Sequence, residues 1–253
     1  MIEKKFDERR TIIIPGNELE TVAFCARQFI AIGKKAIAAK GRFITALCGG
    51  NTPQAIFKLL STPSLSNALD WTKVLFFWSD ERAVSPDSAE SNYHNAMEAG
   101  LKTLPILPKH VFRMRAEEEI EKNAQAYARL IEPLQFDLIM LGMGEDGHTA
   151  SLFPHTQGLH ETKHLVIANY IPQKQTWRMT MTYTAIHQAQ NICIYVIGKN
   201  KADCVAQVLL GQYDPENFPI QKVGTSSHKA FWILDNEAAS LLNLSVFKII
   251  LNQ

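Results

Sequence analysis

Short apolar runs rich in β-branched and aromatic residues alternate along this sequence with longer segments of helical period, and no other feature constrains the fold as much. Two parallel strands need a crossover long enough to carry the chain back to the same edge of the sheet, and an intervening helix supplies it. The pattern therefore predicts an α/β fold with a mostly parallel sheet flanked by helices. Strands are expected over 11–14, 43–46, 73–78, 111–113, 136–141, 165–168, 179–182, 192–197 and 230–234. Helices are expected over 18–39, 53–60, 91–100, 117–131, 185–190, 199–210 and 236–242. The first helix has the clearest ends: Asn17 with Glu20 three residues later makes a capping box, and Gly41 makes a stop. No repeat or Pro/Gly/Ser-rich linker divides the chain, so a single domain over 1–253 is expected, with 211–228 read as an irregular surface excursion.

Composition narrows the partners. With 46% hydrophobic residues the chain can build a sizeable core, and with 26 Lys and Arg against 25 Asp and Glu its net charge is +1. Nothing in that balance draws the whole molecule toward nucleic acid or an acidic membrane, so any anion must be met by local chemistry. The first ten residues are dominated by charge and lack the apolar stretch of a signal peptide, and no apolar run is long enough to span a bilayer. Four cysteines (Cys25, Cys48, Cys193, Cys204) form no C-x-x-C pair. A soluble, cytoplasmic protein is the expectation.

Five segments carry chemistry. Residues 43–53 read as a strand, a Gly-Gly turn (Gly49, Gly50) and a helix opening on Asn51, Thr52 and Pro53, with Pro53 expected at its first position and Thr52 as its cap. Backbone N–H groups at such a turn, backed by a helix N-terminus, suit a phosphate, and without a P-loop Lys a phosphomonoester is more natural than a nucleoside triphosphate. Asp80-Glu81-Arg82 follows the apolar run 74–78, whereas the identical tripeptide Asp7-Glu8-Arg9 lies in a charged terminus with no strand before it and reads as solvated surface. Position selects Asp80 and Arg82, because open α/β sheets bind ligands at the carboxyl ends of their strands.

Gly142-Met143-Gly144-Glu145-Asp146-Gly147-His148 fits G-x-G-x-x-G. A dinucleotide site would need a long helix after the glycines, and Pro154 interrupts one; Asp146 would also set a carboxylate where a pyrophosphate must lie. The loop instead offers Asp146 and His148, a carboxylate able to orient an imidazole for general acid/base chemistry. His160-Glu161-Thr162-Lys163-His164 matches the zinc-protease pattern H-E-x-x-H, but Gly158 before it and the strand-like 165–168 after it leave little more than one helical turn, and a third ligand is missing nearby. Arg178 opens an expected strand, and Lys201 stands behind Gly198 at a further strand-to-helix junction, from which it could converge on the Gly49–Thr52 turn. No G-x-S-x-G elbow supports a serine esterase.

Taken in order, these segments resemble the 6-phosphogluconolactonase family of the glucosamine-6-phosphate isomerase/6-phosphogluconolactonase superfamily. The most specific stretch is Leu141 to Pro154, supported by Ser79-Asp80-Glu81-Arg82, Ser91-Asn92-Tyr93, Arg178-Met179-Thr180 and Gly198 with Lys201-Ala202. The resemblance implies a Rossmann-like fold, a phosphorylated sugar lactone as substrate, hydrolysis of 6-phosphoglucono-1,5-lactone, and no cofactor or metal. It also implies roles: His148 as general base on water, Asp146 to position it, and amides of the 142–147 loop, Gly144 and Gly147 included, around the developing oxyanion. Gly49, Gly50, Asn51, Thr52, Lys201 and Arg178 would hold the 6-phosphate, and Asp80 and Arg82 the sugar. Glucosamine-6-phosphate deaminases share the Gly-Gly, Asp-Gly-His and Gly-x-x-Lys segments and are the nearest enzymatic alternative; a non-catalytic sugar-phosphate sensor is the alternative outside enzymes.

Overall fold

The structure, a computed structural model, describes residues 1–243. In chain order its elements are β1 (Ile2–Lys5), β2 (Arg10–Ile14), α1 (Glu18–Lys40), β3 (Phe43–Leu47), α2 (Asn51–Leu60), β4 (Val74–Trp78), β5 (Asp80–Arg82), α3 (Asn92–Glu98), α4 (Ile120–Ile131), β6 (Leu138–Gly142), β7 (Val166–Ile171), β8 (Thr176–Met181), α5 (Tyr183–Ile186), β9 (Ile192–Val196), α6 (Ala202–Leu210) and β10 (Ala230–Leu234). Seven strands form the main sheet in the order β1-β2-β10-β9-β6-β3-β4. Its pairs are parallel except β1 with β2. A smaller antiparallel sheet, β5-β8-β7, stands beside it.

The central strands β3 and β9 are buried at every residue, as strands covered on both faces must be, and they read Phe-Ile-Thr-Ala-Leu and Ile-Cys-Ile-Tyr-Val. Helix α1 is held at both ends as expected: Asn17 and Glu20 exchange capping hydrogen bonds at 3.0 and 2.8 Å, and Gly41 takes the left-handed conformation (φ 75°) that ends the helix. One continuous apolar core spans both faces of the sheet and includes the fully buried Trp71, Trp78 and Trp232.

Strand order decides where ligands bind. From β3 the chain moves outward to β4, then returns to lay β6 on the other side of β3, and from β6 it proceeds the opposite way to β9 and β10. Progress thus reverses between β3 and β6, and the connections leaving their carboxyl ends diverge to open a crevice. The turn after β3 carries Gly49 and Gly50, and the loop after β6 carries Asp146 and His148.

Several expectations are corrected. Residues 111–113 form no strand; Val111 makes one bridge to Phe76. Residues 236–242 make turns rather than an α-helix, and the helix expected over 185–190 is the single turn α5. The charged terminus contains β1, and Asp80–Arg82 is itself a strand, paired with β8. The 211–228 segment is no surface excursion, because Ile220, Gln221 and Val223 are buried.

This last segment is anchored in part by His187, whose Nε2 accepts from Gly224 N–H at 3.2 Å while its ring stacks on Tyr183. Burial lowers the imidazole pKa; a hydrogen bond to the Lys222 backbone opposes this, and the charges of Lys222, His228 and Arg9 add to the lowering. A histidine whose folded pKa is depressed contributes stability that is complete above the unfolded value and is lost as pH falls through it. Melting temperature should therefore fall as pH drops below about 6.5, the ordinary imidazole value. His187→Gln, which keeps an acceptor for Gly224 without titrating, should flatten that dependence; an equally steep dependence in the variant would show that another group causes it.

Candidate active site

The crevice holds a cavity of about 220 Å³ walled by Gly49, Gly50, Asp80, Arg82, Gly144, His148 and Lys201, with Cys48, Asn92, Gly142, Met143 and Ala150 completing it. A second cavity of about 350 Å³ shares Gly49, Gly50, Gly142, Met143 and Lys201 with the first and extends over Asn51 and Thr52. Residues drawn from four loops, each following one of the adjacent strands β4, β3, β6 and β9, thus surround one continuous space.

The loop after β6 brings a carboxylate and an imidazole together. His148 Nδ1 lies 2.5 Å from Asp146 Oδ1, and the imidazole stacks on Phe153 with ring centroids 3.8 Å apart and planes 13° from parallel. Asp146 is half-buried; that burial raises its carboxyl pKa, but the hydrogen bond and charge of His148 outweigh it and leave the pKa below the ordinary carboxylate value. The carboxylate is ionised at neutral pH and orients the ring through Nδ1, leaving Nε2 as the basic nitrogen. Gly144 makes room for the pair, since a β-carbon there would sit 2.0 Å from His148 Nδ1 and 2.4 Å from Asp146 Oδ1. The amides do not serve as expected. Gly144 N–H donates to the His148 carbonyl at 2.9 Å and Gly147 N–H to the Gly144 carbonyl at 3.2 Å, so neither is available to an oxyanion. Gly147 lines neither cavity.

After β3, Gly50 (φ 105°) is the residue before α2, and the helix starts at Asn51. Thr52 and Pro53 are its second and third residues, so Thr52 is not the cap and Pro53 not the first residue. The amides of Asn51 and Thr52 lie in the first turn, where helix N–H groups have no partner of their own, and they border the larger cavity. Lys201 faces the same space from the start of α6. Its turn is set by Asp235, a buried carboxylate that accepts from Gly198 N–H at 3.1 Å and Ala238 N–H at 2.8 Å. Asn200 Nδ2 donates to Glu145 Oε1 at 2.6 Å and ties this turn to the His148 loop.

Asp80 is buried and fully engaged, accepting from Ser151 Oγ at 2.6 Å and from Asn92 Nδ2 at 3.0 Å. Glu81 accepts from the amides of Arg82, Asn92 and Tyr93 and from Ser91 Oγ, and so fixes the start of α3; burial raises its pKa despite these donors. Arg82 and Arg178 are register partners across β5 and β8. Arg82 donates to the Glu90 carbonyl at 2.5 Å, and the Nε atoms of both arginines are buried without a partner. Burial and the Arg82 charge pull the Arg178 pKa down. Arg178 lines neither cavity, so it is not among the residues that wall the space around the turn where it was expected to hold phosphate.

Sequence reasoning passed over Asn92 as a site residue. Its Nδ2 holds both the backbone and the side chain of Asp80, and its Oδ1 occupies the space where a Gly49 β-carbon would lie, 1.8 Å away. The Ser91-Asn92-Tyr93 motif was the available signal.

The H-E-x-x-H residues are not presented on an α-helix. A short turn over Gln157–His160 ends as the chain extends at Glu161, whose carboxylate bonds His164, while His160 faces Glu216 at 3.5 Å. Among the described residues no group of three His, Cys, Asp or Glu side chains could hold a metal ion. No α-helix follows the Gly142–Gly147 loop before β7, so the dinucleotide pattern lacks its helix.

The family model described as glucosamine-6-phosphate isomerases/6-phosphogluconolactonase matches residues 17–232. The chain belongs to that family. It is 34% identical to the 6-phosphogluconolactonase of Chlamydia pneumoniae over 253 residues, covering 96% of each chain. With the enzyme of the same name from Chlamydia trachomatis the identity is 37%, over 94% of this chain and 93% of the relative. The solved structure of 6-phosphogluconolactonase from Trypanosoma brucei superimposes with a TM-score of 0.79 at 26% identity, covering 91% of this chain and 98% of that one.

Two glycine substitutions test this packing. Gly49→Ala should displace the Asn92 amide, destabilise the protein by about 1–3 kcal/mol and abolish most turnover. Gly41→Ala, whose β-carbon would meet nothing within 4 Å at a left-handed φ of 75°, should cost only about 1–2 kcal/mol and leave turnover intact. Thermal melts and lactone hydrolysis on both proteins check the contrast, and equal turnover in the two would refute it.

Proposed function

We infer that this chain hydrolyses 6-phospho-D-glucono-1,5-lactone to 6-phospho-D-gluconate, the second step of the pentose phosphate pathway, and that His148 is the general base. The names of its relatives carry the substrate. The observation that carries the mechanism is the 2.5 Å contact between Asp146 and His148 in a loop that borders the cavity.

With Asp146 on Nδ1, Nε2 takes a proton from water as the oxygen adds to C1 of the lactone. The tetrahedral adduct then expels the ring oxygen, breaking its bond to C1, and the imidazolium returns the proton to that leaving oxygen. A lactone is an activated ester, so an oriented water and a base are enough. The ionised Asp146 stabilises the imidazolium that forms between the two steps.

Lys201 and the amides at Gly49, Gly50, Asn51 and Thr52 hold the 6-phosphate, a cation and a helix N-terminus converging on one dianion. Asp80, clamped by Ser151 and Asn92, and Arg82 form the sugar side of the cavity. Arg178 supports Arg82 across the pairing of β5 with β8, and Gly144 and Gly147 act by allowing close approach. We read 1–253 as one domain, because the site residues run from Gly49 to Lys201 and the core is continuous. No helix among the described residues is long and apolar enough to cross a membrane. Four buried free thiols suit a reducing cytoplasm, and the near-neutral charge offers nucleic acid no footprint.

The decisive assay uses freshly prepared lactone, corrected for spontaneous opening; release of ammonia from glucosamine 6-phosphate, or binding of 6-phosphogluconate without hydrolysis, would replace this reading. His148→Ala should lower turnover by about 10²–10⁴. Lys201→Ala should act chiefly on KM, raising it about 10-fold or more, the worth of a charged hydrogen bond. Near-normal turnover in the first variant, or an unchanged KM in the second, would remove that residue from its role.

A further inference from the structure

Between α6 and β10 lies a segment that the reaction as described does not use. Ile220 is fully buried and Gln221 is 1% exposed. Gln221 cross-braces the segment: its Oε1 accepts from Asp214 N–H at 2.6 Å, and its Nε2 donates to the carbonyls of Val208, in α6, at 3.1 Å and Gln212 at 3.0 Å. A buried amide with three backbone partners is costly to leave half-satisfied, so its geometry is strongly specified.

What this brace holds is the stretch that carries the base. Ile220 N–H donates to the Gly147 carbonyl at 3.0 Å, and His155 N–H donates to the Glu216 carbonyl at 3.3 Å. Lys222 Nζ donates to the Leu159 carbonyl at 3.1 Å. Over Gly147 itself lies the Phe218 ring, which a β-carbon on that glycine would meet at 2.8 Å. Gly147 has φ 74° and immediately precedes His148, so the peptide joining them sets where the imidazole starts. Asp146 and Phe153 fix the ring, and the 214–222 segment fixes the backbone beneath it.

We propose that residues 214–222 form a strap that positions His148 for the reaction, with Phe218 and Gln221 as positioning residues acting through Gly147. The proposal rests on the reading of His148 as the base. Neither Phe218 nor Gln221 lines either cavity, so their influence falls on the base and not on substrate contacts. Because Gln221 also grips α6, which starts beside Lys201, base and phosphate-binding cation share one frame.

The test uses the full chain with Phe218→Ala, Phe218→Leu and Gln221→Ala, reading kcat, KM and the NMR resonances of the His148 ring. Gln221→Ala strips three backbone groups of their partner and can fail to fold, but Phe218 is half-buried and its truncation leaves the brace intact. Phe218→Ala should lower kcat about 10-fold through misplacement of the base and shift the His148 resonances, with KM changed by less than about 2-fold. Phe218→Leu, which refills most of the space over Gly147, should recover most of the lost kcat. Wild-type resonances and wild-type kcat in Phe218→Ala would overturn the strap. Shifted resonances with unchanged kcat would overturn it as well, because loss of the aromatic ring alone can move nearby resonances, whereas His148→Ala tests separately whether His148 is the base.

Discussion

The reversal of strand order between β3 and β6 is the constraint on which the rest depends. Parallel pairing points the carboxyl ends of β4, β3, β6 and β9 to one edge, and the reversal parts the connections at that edge so that a space remains between them. No single loop builds the site. The Gly49–Thr52 turn supplies amides, the Asp146–His148 loop a hydrogen-bonded carboxylate and imidazole, the Lys201 turn a cation and the Asp80 strand a wall, and they meet because their strands are neighbours in the sheet. A chain with the same loops on a different strand order would scatter them.

Within that frame, the glycines act mainly by what they leave room for. Gly49 yields its β-carbon space to the Asn92 amide, Gly144 to the Asp146–His148 pair and Gly147 to the Phe218 ring. The loop that resembles a phosphate-binding fingerprint is therefore closed on itself, its amides at Gly144 and Gly147 satisfied internally, and it brings a carboxylate and an imidazole into contact. The turn after β3 instead presents free first-turn N–H groups, where Gly50 leads into α2 beside the larger cavity.

This division explains what could be read from the sequence. The central strands were legible because burial on both faces makes them apolar throughout, and α1 because its caps are local. Strand β1 was not, since an edge strand with one half-buried face tolerates Glu3, Lys4 and Lys5, and such charge suits an edge that must not pair further. Strand β5 was hidden because Asp80, Glu81 and Arg82 are poor strand formers; β8 imposes the pairing from about a hundred residues away. That Lys201 and His148 would face one space could be read because each stands just beyond a strand of the parallel sheet, at the edge where such sheets open. Gly144 and Gly147 were found but misread, because a glycine in a sequence does not say whether its hydrogen or its amide is what the site needs. Asn92 escaped because the atom it displaces belongs to a residue more than forty positions away.

Charge is organised on the same principle. A net charge of +1 cannot draw an anion over distance, so any attraction for one has to be local, as at the cavity wall that Lys201 shares with the first-turn amides of α2. The buried acids meanwhile do construction: Asp137 accepts from Ile44 N–H and pairs with Lys40, Asp235 sets the turn before Lys201, and Glu81 gathers the start of α3. Asp235 and Glu81, with two and three backbone donors, are held in one geometry, and Asp137, just before β6, ties that strand to β3 and the end of α1. Asp146 differs in being half-open and in having a titratable side chain as its main partner. That difference sets it apart from the other three as the carboxylate held against an imidazole that borders the cavity.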